Sequence, residues 1–316
     1  HTGEEMFGLH HEAWSARVIR HHPEIHDCLE SHASGTAEAV ANLLEHGRSP
    51  HPLIKHLVSS QLDCDRLDYL LRDSYSTGTR YGQLDLDRIL GALTLAPDGD
   101  MAIHPKGLMA VEHYLVVRNL MYRSVYNHRL NVVCNWLLEK LILTARQLGH
   151  DQVWADEVMA TWLWQPDQIR LEDFLANDDQ RTGYHLQRWQ VEAPAALAEL
   201  SGRFLDRRLL KATAVEHLSP ADQLQLLATA RRLADRHGHD PELCCGLRHQ
   251  QLRGYHPYRG GLRLWDGQQL QALEKASPLV ASLATPAATS WLIHPRDISN
   301  ELRQEMDVEW PRAAAA

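Results

Sequence analysis

The sequence predicts a mostly α-helical protein with a smaller region of mixed α and β structure at its C-terminal end. Three observations support this fold class. Apolar residues recur at three- and four-residue spacing over much of the chain. Neither glycine nor proline interrupts residues 108–148. After about residue 248, closely spaced glycines separate short apolar runs that are typical of strands.

Helix start and stop signals bound most of the predicted elements. Before residue 100 the predicted helices cover 5–19, 35–46, 50–73 and 85–94. Ser34 is expected to cap the second of these helices, and Gly47 is expected to end it. The Pro97-Asp98-Gly99 tripeptide between two short apolar runs predicts a β-hairpin.

The longest predicted element is a spine helix over 108–148, which at 1.5 Å per residue would be about 60 Å long. The helices predicted after it cover 170–177, 180–203, 205–216 and 219–237. The runs LRLW and SWLIH are predicted strands. We therefore divide the 316 residues into a core over 1–205 and an α+β region over 206–316.

Composition excludes several classes of protein. The net charge of −9 argues against a non-specific nucleic-acid binder, because such proteins neutralise phosphates with a basic surface. No apolar run approaches the roughly 20 residues that span a bilayer. The five cysteines form no CxxC pair, so we expect reduced thiols and a cytoplasmic protein.

The most informative segment is SQLDCDRLDYLLRDSYSTG, which begins at Ser60. Residues three and four apart share a face of a helix, so Asp65, Tyr69 and Asp73 lie on one side, with Arg66 beside them and Arg72 on the same face. A surface helix with ordinary salt bridges would show the same pattern. The leucines at several angles favour a buried helix, in which acids need a partner or a metal ion.

A second stripe lies within the predicted spine helix, in RNLMYRSVYNHR. Arg118, Tyr122, Tyr126 and Arg129 recur every three or four residues. The tyrosines alone would also suit an ordinary core with satisfied hydroxyl groups. If this stripe faces the acidic stripe across a pocket, its arginines would bind a phosphate group and its tyrosines would stack on a ring.

These segments resemble one enzyme family. QLDCDRLDYLLRDSYSTGTRYGQLDLDRIL and RNLMYRSVYNHR are similar to the HD-domain deoxynucleoside triphosphate triphosphohydrolases, the bacterial dGTPase-like enzymes and their vertebrate relative. HHEAWSARVI and YHPYRGGLRLWDG…ASPLV extend the resemblance over most of the chain. It implies a helical HD-domain core around a divalent metal ion (Mg, Mn, Fe, Ni or Zn) and a reaction that releases triphosphate from a dNTP.

The resemblance also assigns roles to individual residues. It implies a metal ligand at Asp65, phosphate contacts at Arg66 and Arg118, sugar-side contacts at Tyr69, Asp73 and Tyr126, and catalytic residues at His11 and Glu12. We add Tyr122 to the substrate-binding set because it lies on the same stripe as Arg118. Homo-oligomers and a nucleotide activator are expected from the resemblance alone.

The His26-Asp27 pair matches the dipeptide that names such domains, yet its context differs. In the family the pair stands in a glycine-containing stretch before the HHEAWS motif, whereas here EIHDCLES follows that motif and contains no glycine. We predict an ordinary pair on a helix surface. The family's upstream histidine, its His-Asp pair and the next histidine then have no counterpart, so we expect an N-terminally incomplete core.

Two alternatives stay open. An HD phosphohydrolase acting on another phosphate ester would share the fold, since fold does not fix substrate. A catalytically degenerate protein that binds nucleotides as a sensor would also keep the Asp65 to Asp73 motif.

Overall fold

The computed structural model describes residues 6–8, 10–257 and 261–306. Helices dominate it, as the sequence predicts. The helices of the first half are α1 His11–His21, α2 Pro23–His32, α3 Thr36–His46, α4 Pro52–Val58, α5 Cys64–Thr77, α6 Leu86–Leu90 and α7 Leu108–Met121. Those of the second half are α8 Arg129–Leu148, α9 Glu157–Trp164, α10 Leu171–Ala176, α11 Asp179–Glu192, α12 Ala195–Leu205, α13 Pro220–Arg236, α14 Pro241–Cys244, α15 Leu273–Ala276, α16 Pro278–Leu283 and α17 Ser299–Met306.

Within the described residues, seven short strands form two small sheets. The strands are β1 Leu93–Leu95, β2 Met101–Ile103, β3 Lys211–Ala214, β4 Gly246–Leu252, β5 Arg263–Trp265, β6 Leu270–Ala272 and β7 Ala287–His294. One sheet has the order β1-β2-β5-β6 and the other the order β3-β7-β4. The predicted hairpin is β1 and β2, which pair antiparallel around a turn where Gly99 has a φ of 80°. The predicted strands LRLW and SWLIH correspond to β5 and β7.

The chain forms two compact units that alternate along the sequence. The α5–α7 unit comprises His10–His128 and Gln251–Ala287. Its core joins Leu67 and Leu70 of α5 to Val111, Tyr114 and Leu115 of α7. Because these side chains pack together, α5 and α7 hold their polar residues in fixed positions relative to each other.

The α8 unit comprises His1–Leu9, Arg129–Gln250 and Ala288–Ala316. Leu137 and Leu141 of α8 are fully buried among apolar residues of the helices that follow. A second apolar cluster lies between α13 and α17, around Leu233 and Leu302. The predicted boundary at residue 205 stays a prediction.

The helix predicted over 108–148 is present in two pieces. A π-helical turn, Tyr122–Tyr126, follows α7, and α8 begins only at Arg129. The Asn127 amide donates to the Tyr122 carbonyl (2.8 Å), a bond across five residues that adds one residue to the turn. This interruption could not be predicted from the sequence, because neither glycine nor proline marks it.

Other predicted helix boundaries and caps also differ from the structure. The helix predicted over 50–73 ends at Val58, and Asp63 caps a new one. Helix α3 is not capped by Ser34; instead the Glu30 carboxylate accepts from the amides of Gly35 and Ala37. Gly47 does end it, with a φ of 60°.

In the second half, Pro194 divides the helix predicted over 180–203 into α11 and α12. The helix predicted over 205–216 is wrong, because 211–214 pairs with β7 as strand β3. The helix predicted over 85–94 is limited to α6, since 93–95 belongs to β1. No helix among the described residues is long and apolar enough to cross a membrane.

Candidate functional site

Helix α5 begins at a buried carboxylate. Asp63 is only 1% exposed and accepts hydrogen bonds from the backbone amides of Arg66 (2.8 Å) and Ser60 (3.0 Å). The same Asp63 carboxylate also forms an ion pair with the guanidinium of Arg66. One carboxylate therefore caps the helix and fixes the direction of the first arginine.

Helix α7 supplies a second buried cation, at Arg118. This residue is 6% exposed, and its Nη1 atom has no hydrogen-bond partner among the described residues. The guanidinium carbon lies 5.7 Å from the centre of the Tyr122 ring, a cation–π distance. No carboxylate of the described residues pairs with it. A buried cation in this state is costly, and an anion would offset the cost.

The π-helical turn brings three tyrosines together, which we call the tyrosine cluster: Tyr69, Tyr122 and Tyr126. The hydroxyl oxygens of Tyr69 and Tyr122 are 3.1 Å apart. The Tyr126 ring lies edge-on to both others, with centroid distances of 5.8 Å to Tyr69 and 5.2 Å to Tyr122. The Tyr126 hydroxyl donates to Asp73 Oδ2 at 2.7 Å. The cluster thus joins the face of α5 to the segment after α7.

The hydroxyls of Tyr69 and Tyr126 are held in the protonated form. Burial raises the pKa of Tyr69, and its hydrogen bond with Tyr122 adds to the effect. Burial also raises the pKa of Tyr126, followed by the hydrogen bond to Asp73. These groups can therefore donate and accept hydrogen bonds at neutral pH, but they do not act as bases.

Six of the predicted residues consequently lie near one another in one unit. They are Arg66, Tyr69, Asp73, Arg118, Tyr122 and Tyr126. The positive charges of Arg66 and Arg118 both act on the Tyr69 hydroxyl, which places it near both arginines. We call this group the tyrosine–arginine site. Its polarity changes from two cations at one side to the Asp73 carboxylate at the other.

Two residues of the predicted stripes lie elsewhere. Arg72 pairs with Asp68 across one helical turn (2.9 Å) on the exposed face of α5, where the salt-bridge interpretation is correct. Arg129 begins α8 and belongs to the α8 unit. The π-helical turn explains this second difference, because it shifts the residues after it out of the i,i+4 register.

The other three predicted site residues are exposed. Asp65 lies in the first turn of α5 and makes no hydrogen bond or ion pair with a residue that the structure describes. His11 and Glu12 open α1, and their side chains are 66% and 49% exposed with 3.4 Å between them. The hydrogen bonds and ring contacts that build the tyrosine–arginine site come from α5, α7 and the π-helical turn. None of these contacts involves a residue of α1.

A divalent metal ion needs several converging ligands. Within 6–8, 10–257 and 261–306, no three His, Cys, Asp or Glu side chains come together in a way that could hold one. His26 and Asp27 are a surface pair on α2, 3.6 Å apart and 42% and 83% exposed, as predicted. The residues described here therefore do not fit a metal centre by themselves, and Asp65 alone would hold an ion weakly.

Sequence reasoning missed three contributors to the site. Asp63 could have been found from its cap spacing to Arg66. The Gln61 side chain forms two hydrogen bonds with the His256 backbone: Gln61 Nε2 donates to the His256 carbonyl (2.5 Å), and the His256 amide donates to Gln61 Oε1 (2.7 Å). Nothing in the sequence indicates this contact, because 195 positions separate the partners.

Comparison with known proteins defines the class of the chain. A family model described as "HD associated region" matches residues 84–294, about two thirds of the sequence. The chain therefore belongs to the HD associated region family. The narrower resemblance to dNTP triphosphohydrolases stays a prediction.

Relatives in sequence are uncharacterized proteins. YwfO of Bacillus subtilis is 28% identical over 309 residues, an alignment that covers 94% of this chain and 70% of YwfO. A protein of Methanocaldococcus jannaschii is 40% identical over 142 residues, which cover 44% of this chain and 29% of that protein.

Solved structures share the fold. A phosphohydrolase from Bacteroides thetaiotaomicron superposes with a TM-score of 0.78 at 23% identity, covering 94% of this chain and 75% of that one. A hypothetical protein from Aquifex aeolicus gives a TM-score of 0.65 at 22% identity, covering 92% and 70%. The predicted mostly helical fold is confirmed.

Proposed function

We propose that this chain carries the substrate-binding part of a phosphohydrolase that converts a deoxynucleoside triphosphate into a deoxynucleoside and triphosphate. The observation that carries the proposal is the buried guanidinium of Arg118 next to the tyrosine cluster, whose Nη1 atom has no hydrogen-bond partner in the part of the chain that the structure describes. A phosphate chain is the ligand whose charge would complement Arg118 and Arg66, and the family and fold are compatible with phosphate-ester chemistry.

The site would divide the substrate between its two sides. Arg118 and Arg66 would bind the phosphate oxygens, since offsetting phosphate charge is the main demand of phosphoryl transfer. Tyr69, Tyr126 and Asp73 would contact the sugar, and the Tyr126–Asp73 hydrogen bond fixes both side chains in place. A tyrosine ring against the 2′ carbon would leave no room for a ribose hydroxyl.

The reaction consumes one water molecule. Its oxygen bonds to the α-phosphorus, the bond from that phosphorus to the 5′ oxygen breaks, and the 5′ oxygen takes a proton. We propose that the His11 imidazole supplies or positions this proton as a general acid, and that Glu12 orients His11.

A divalent ion remains part of the proposal. Asp65 is the residue we expect to hold it, and its position in the first turn of α5 is adjacent to Arg66. The described residues do not supply the other ligands that such an ion would need. A bound divalent ion would polarise a phosphate oxygen and activate water.

Product analysis tests the proposal. Each dNTP is incubated with the protein and Mn²⁺ or Mg²⁺, and ion-exchange chromatography separates the products. Triphosphate with deoxynucleoside is expected. Pyrophosphate with dNMP would contradict the reaction. Turnover of another phosphate ester would favour the broader phosphohydrolase, and dNTP binding without any turnover would favour a sensor.

A further inference from the structure

The segment after β4, Arg253 to Pro257, is held against the tyrosine–arginine site on two sides. A Cβ placed on Gly254 would lie 3.4 Å from the Cβ of Asn119, the residue after Arg118. It would also lie 3.2 Å from Leu283 of α16. Only a close backbone approach gives such distances, so glycine lets this segment pack on α7 next to Arg118.

The next two residues are anchored in the same unit. Tyr255 is fully buried, and its hydroxyl lies 3.0 Å from the Glu274 carboxylate while its amide donates to the Leu283 carbonyl at 3.1 Å. The His256 peptide is bonded in both directions to Gln61, whose own carbonyl accepts from Tyr114. Gln61 stands two positions before the Asp63 cap. His256 is therefore fixed at the end of α5 that carries Arg66.

The His256 side chain stands apart from these anchors. The residue is exposed, and its imidazole has no hydrogen-bond partner among the described residues. Partial burial lowers the pKa of the imidazole, and the positive charges of Arg118, Arg253 and Arg66 lower it further. The ring is thus neutral near neutral pH and lies in the field of three guanidinium groups.

The charges around the imidazole leave an excess of positive charge. Arg66 faces it from α5, Arg118 from α7 and Arg253 from its own segment. Asp63 is the carboxylate that pairs with Arg66 at this end of α5. A phosphate chain bound between these arginines would reverse the local field and favour the protonated imidazole.

We propose that His256 is a further phosphate-binding residue of the tyrosine–arginine site, and that it contacts the phosphate chain as an imidazolium, so that phosphate binding takes up a proton. This inference rests on the proposed function, since it assumes that the arginines bind phosphate. His256, which lies far from α5 and α7 in the sequence, would then contact the substrate directly.

Calorimetric titration of inorganic triphosphate into this chain at pH 7 tests the inference, with EDTA present to exclude metal ions. Two buffers of different ionisation enthalpy give the number of protons taken up on binding. His256→Gln should weaken binding about tenfold, the size of a lost charge-assisted hydrogen bond, and should take up fewer protons. Comparing the two proteins cancels the proton exchange of triphosphate itself.

His113→Gln is the matched control. His113 is an exposed histidine on α7, five residues before Arg118 and therefore about 140° around the helix from it. It should bind triphosphate as the unmodified chain does. If His113→Gln lost affinity and proton uptake to the same extent as His256→Gln, a general charge effect would explain both results and the role of His256 would be wrong.

A second variant separates the two proposals. Loss of triphosphate binding in Arg118→Met with unchanged affinity and proton uptake in His256→Gln would overturn the role of His256 and leave the proposed function standing. Triphosphate binding that neither variant alters, or no binding by the unmodified chain, would overturn both. Circular dichroism would verify that each variant is folded.

Discussion

Two arginines without a carboxylate partner lie in the two units, and their surroundings differ. In the α8 unit, Arg146 donates to three backbone carbonyl oxygens, the nearest being that of Leu163 at 2.9 Å. Its guanidinium also lies 4.7 Å from the Phe7 ring centre. In the α5–α7 unit, Arg118 is buried, its Nη1 atom has no hydrogen-bond partner among the described residues, and its guanidinium carbon lies 5.7 Å from the Tyr122 ring centre.

This difference distinguishes an arginine that stabilises the fold from one that is proposed to bind a ligand. Each of the three guanidinium nitrogens of Arg146 donates to a backbone carbonyl oxygen, so the residue connects the chain near Met6 to α8 and α9. Burial of Arg118 costs free energy, and among the described residues Arg118 has no hydrogen bonds like those that offset this cost for Arg146. The proposed phosphate ligand would supply the partner that Arg118 lacks among the described residues.

The largest expected effect concerns Arg118. Substitution by methionine should lower turnover of the preferred substrate about 100- to 1,000-fold, because a cation that offsets phosphate charge is lost. Stability should be unchanged or higher, since an unpaired buried charge is replaced by an apolar side chain. Steady-state kinetics and urea unfolding measure the two effects.

Arg123→Met is the control for this substitution. Arg123 is exposed and lies on the same π-helical turn as Tyr122. Its replacement should leave turnover within a factor of about two, as surface substitutions usually do. Equal losses in both variants would mean that Arg118 is not special.

The same comparison applies to two histidines. His256 is exposed with an unpartnered ring, whereas His294 of the α8 unit is 1% exposed and both ring nitrogens have partners, the Pro295 carbonyl (2.7 Å) and the Thr213 hydroxyl (3.0 Å). Burial lowers the pKa of His294 to about 4, followed by the charge of Lys211. This histidine should be inert toward ligands and sensitive to acid.

The sign of the acid effect follows from the lowered pKa. The unfolded chain binds the proton at about pH 6.5, whereas the folded chain binds it only near pH 4. Stability from neutral His294 is complete above pH 6.5 and is lost as the pH falls toward 4, on the order of 3 kcal/mol over the window. NMR titration of the ring measures the pKa, and a value near 6.5 would contradict the prediction.

Arg146→Met should have a smaller effect and in the opposite direction to Arg118→Met. Losing three hydrogen bonds to carbonyl groups should lower the free energy of unfolding by about 2 kcal/mol, although burial lowers the pKa of Arg146 and its replacement removes a partly desolvated charge. Turnover by the folded protein should stay the same. Denaturant unfolding and kinetics on one preparation test both statements; a catalytic loss with normal stability would break the comparison.

The sequence allowed the α5 face to be predicted because helical spacing is local. Asp65, Tyr69 and Asp73 follow one another at i,i+4, and the structure keeps them on one helix. The π-helical turn was not predictable from composition, since it requires only one displaced hydrogen bond. His256 was beyond reach for another reason: its place depends on tertiary packing against Asn119 and Gln61.

The smallest expected effect concerns Tyr126, which sharpens the assignment within the site. Tyr126→Phe removes the hydroxyl that donates to Asp73, while the ring and its edge-on contacts with Tyr69 and Tyr122 remain. Because Asp73 is only partly buried, water replaces the lost donor, and we expect a stability loss of about 1 kcal/mol or less. If Asp73 contacts the sugar, KM should rise several-fold while kcat changes little, since binding rather than chemistry is weakened. A fall in kcat at constant KM would instead place Tyr126 beside the reacting phosphate, and would move the sugar side of the site away from Asp73.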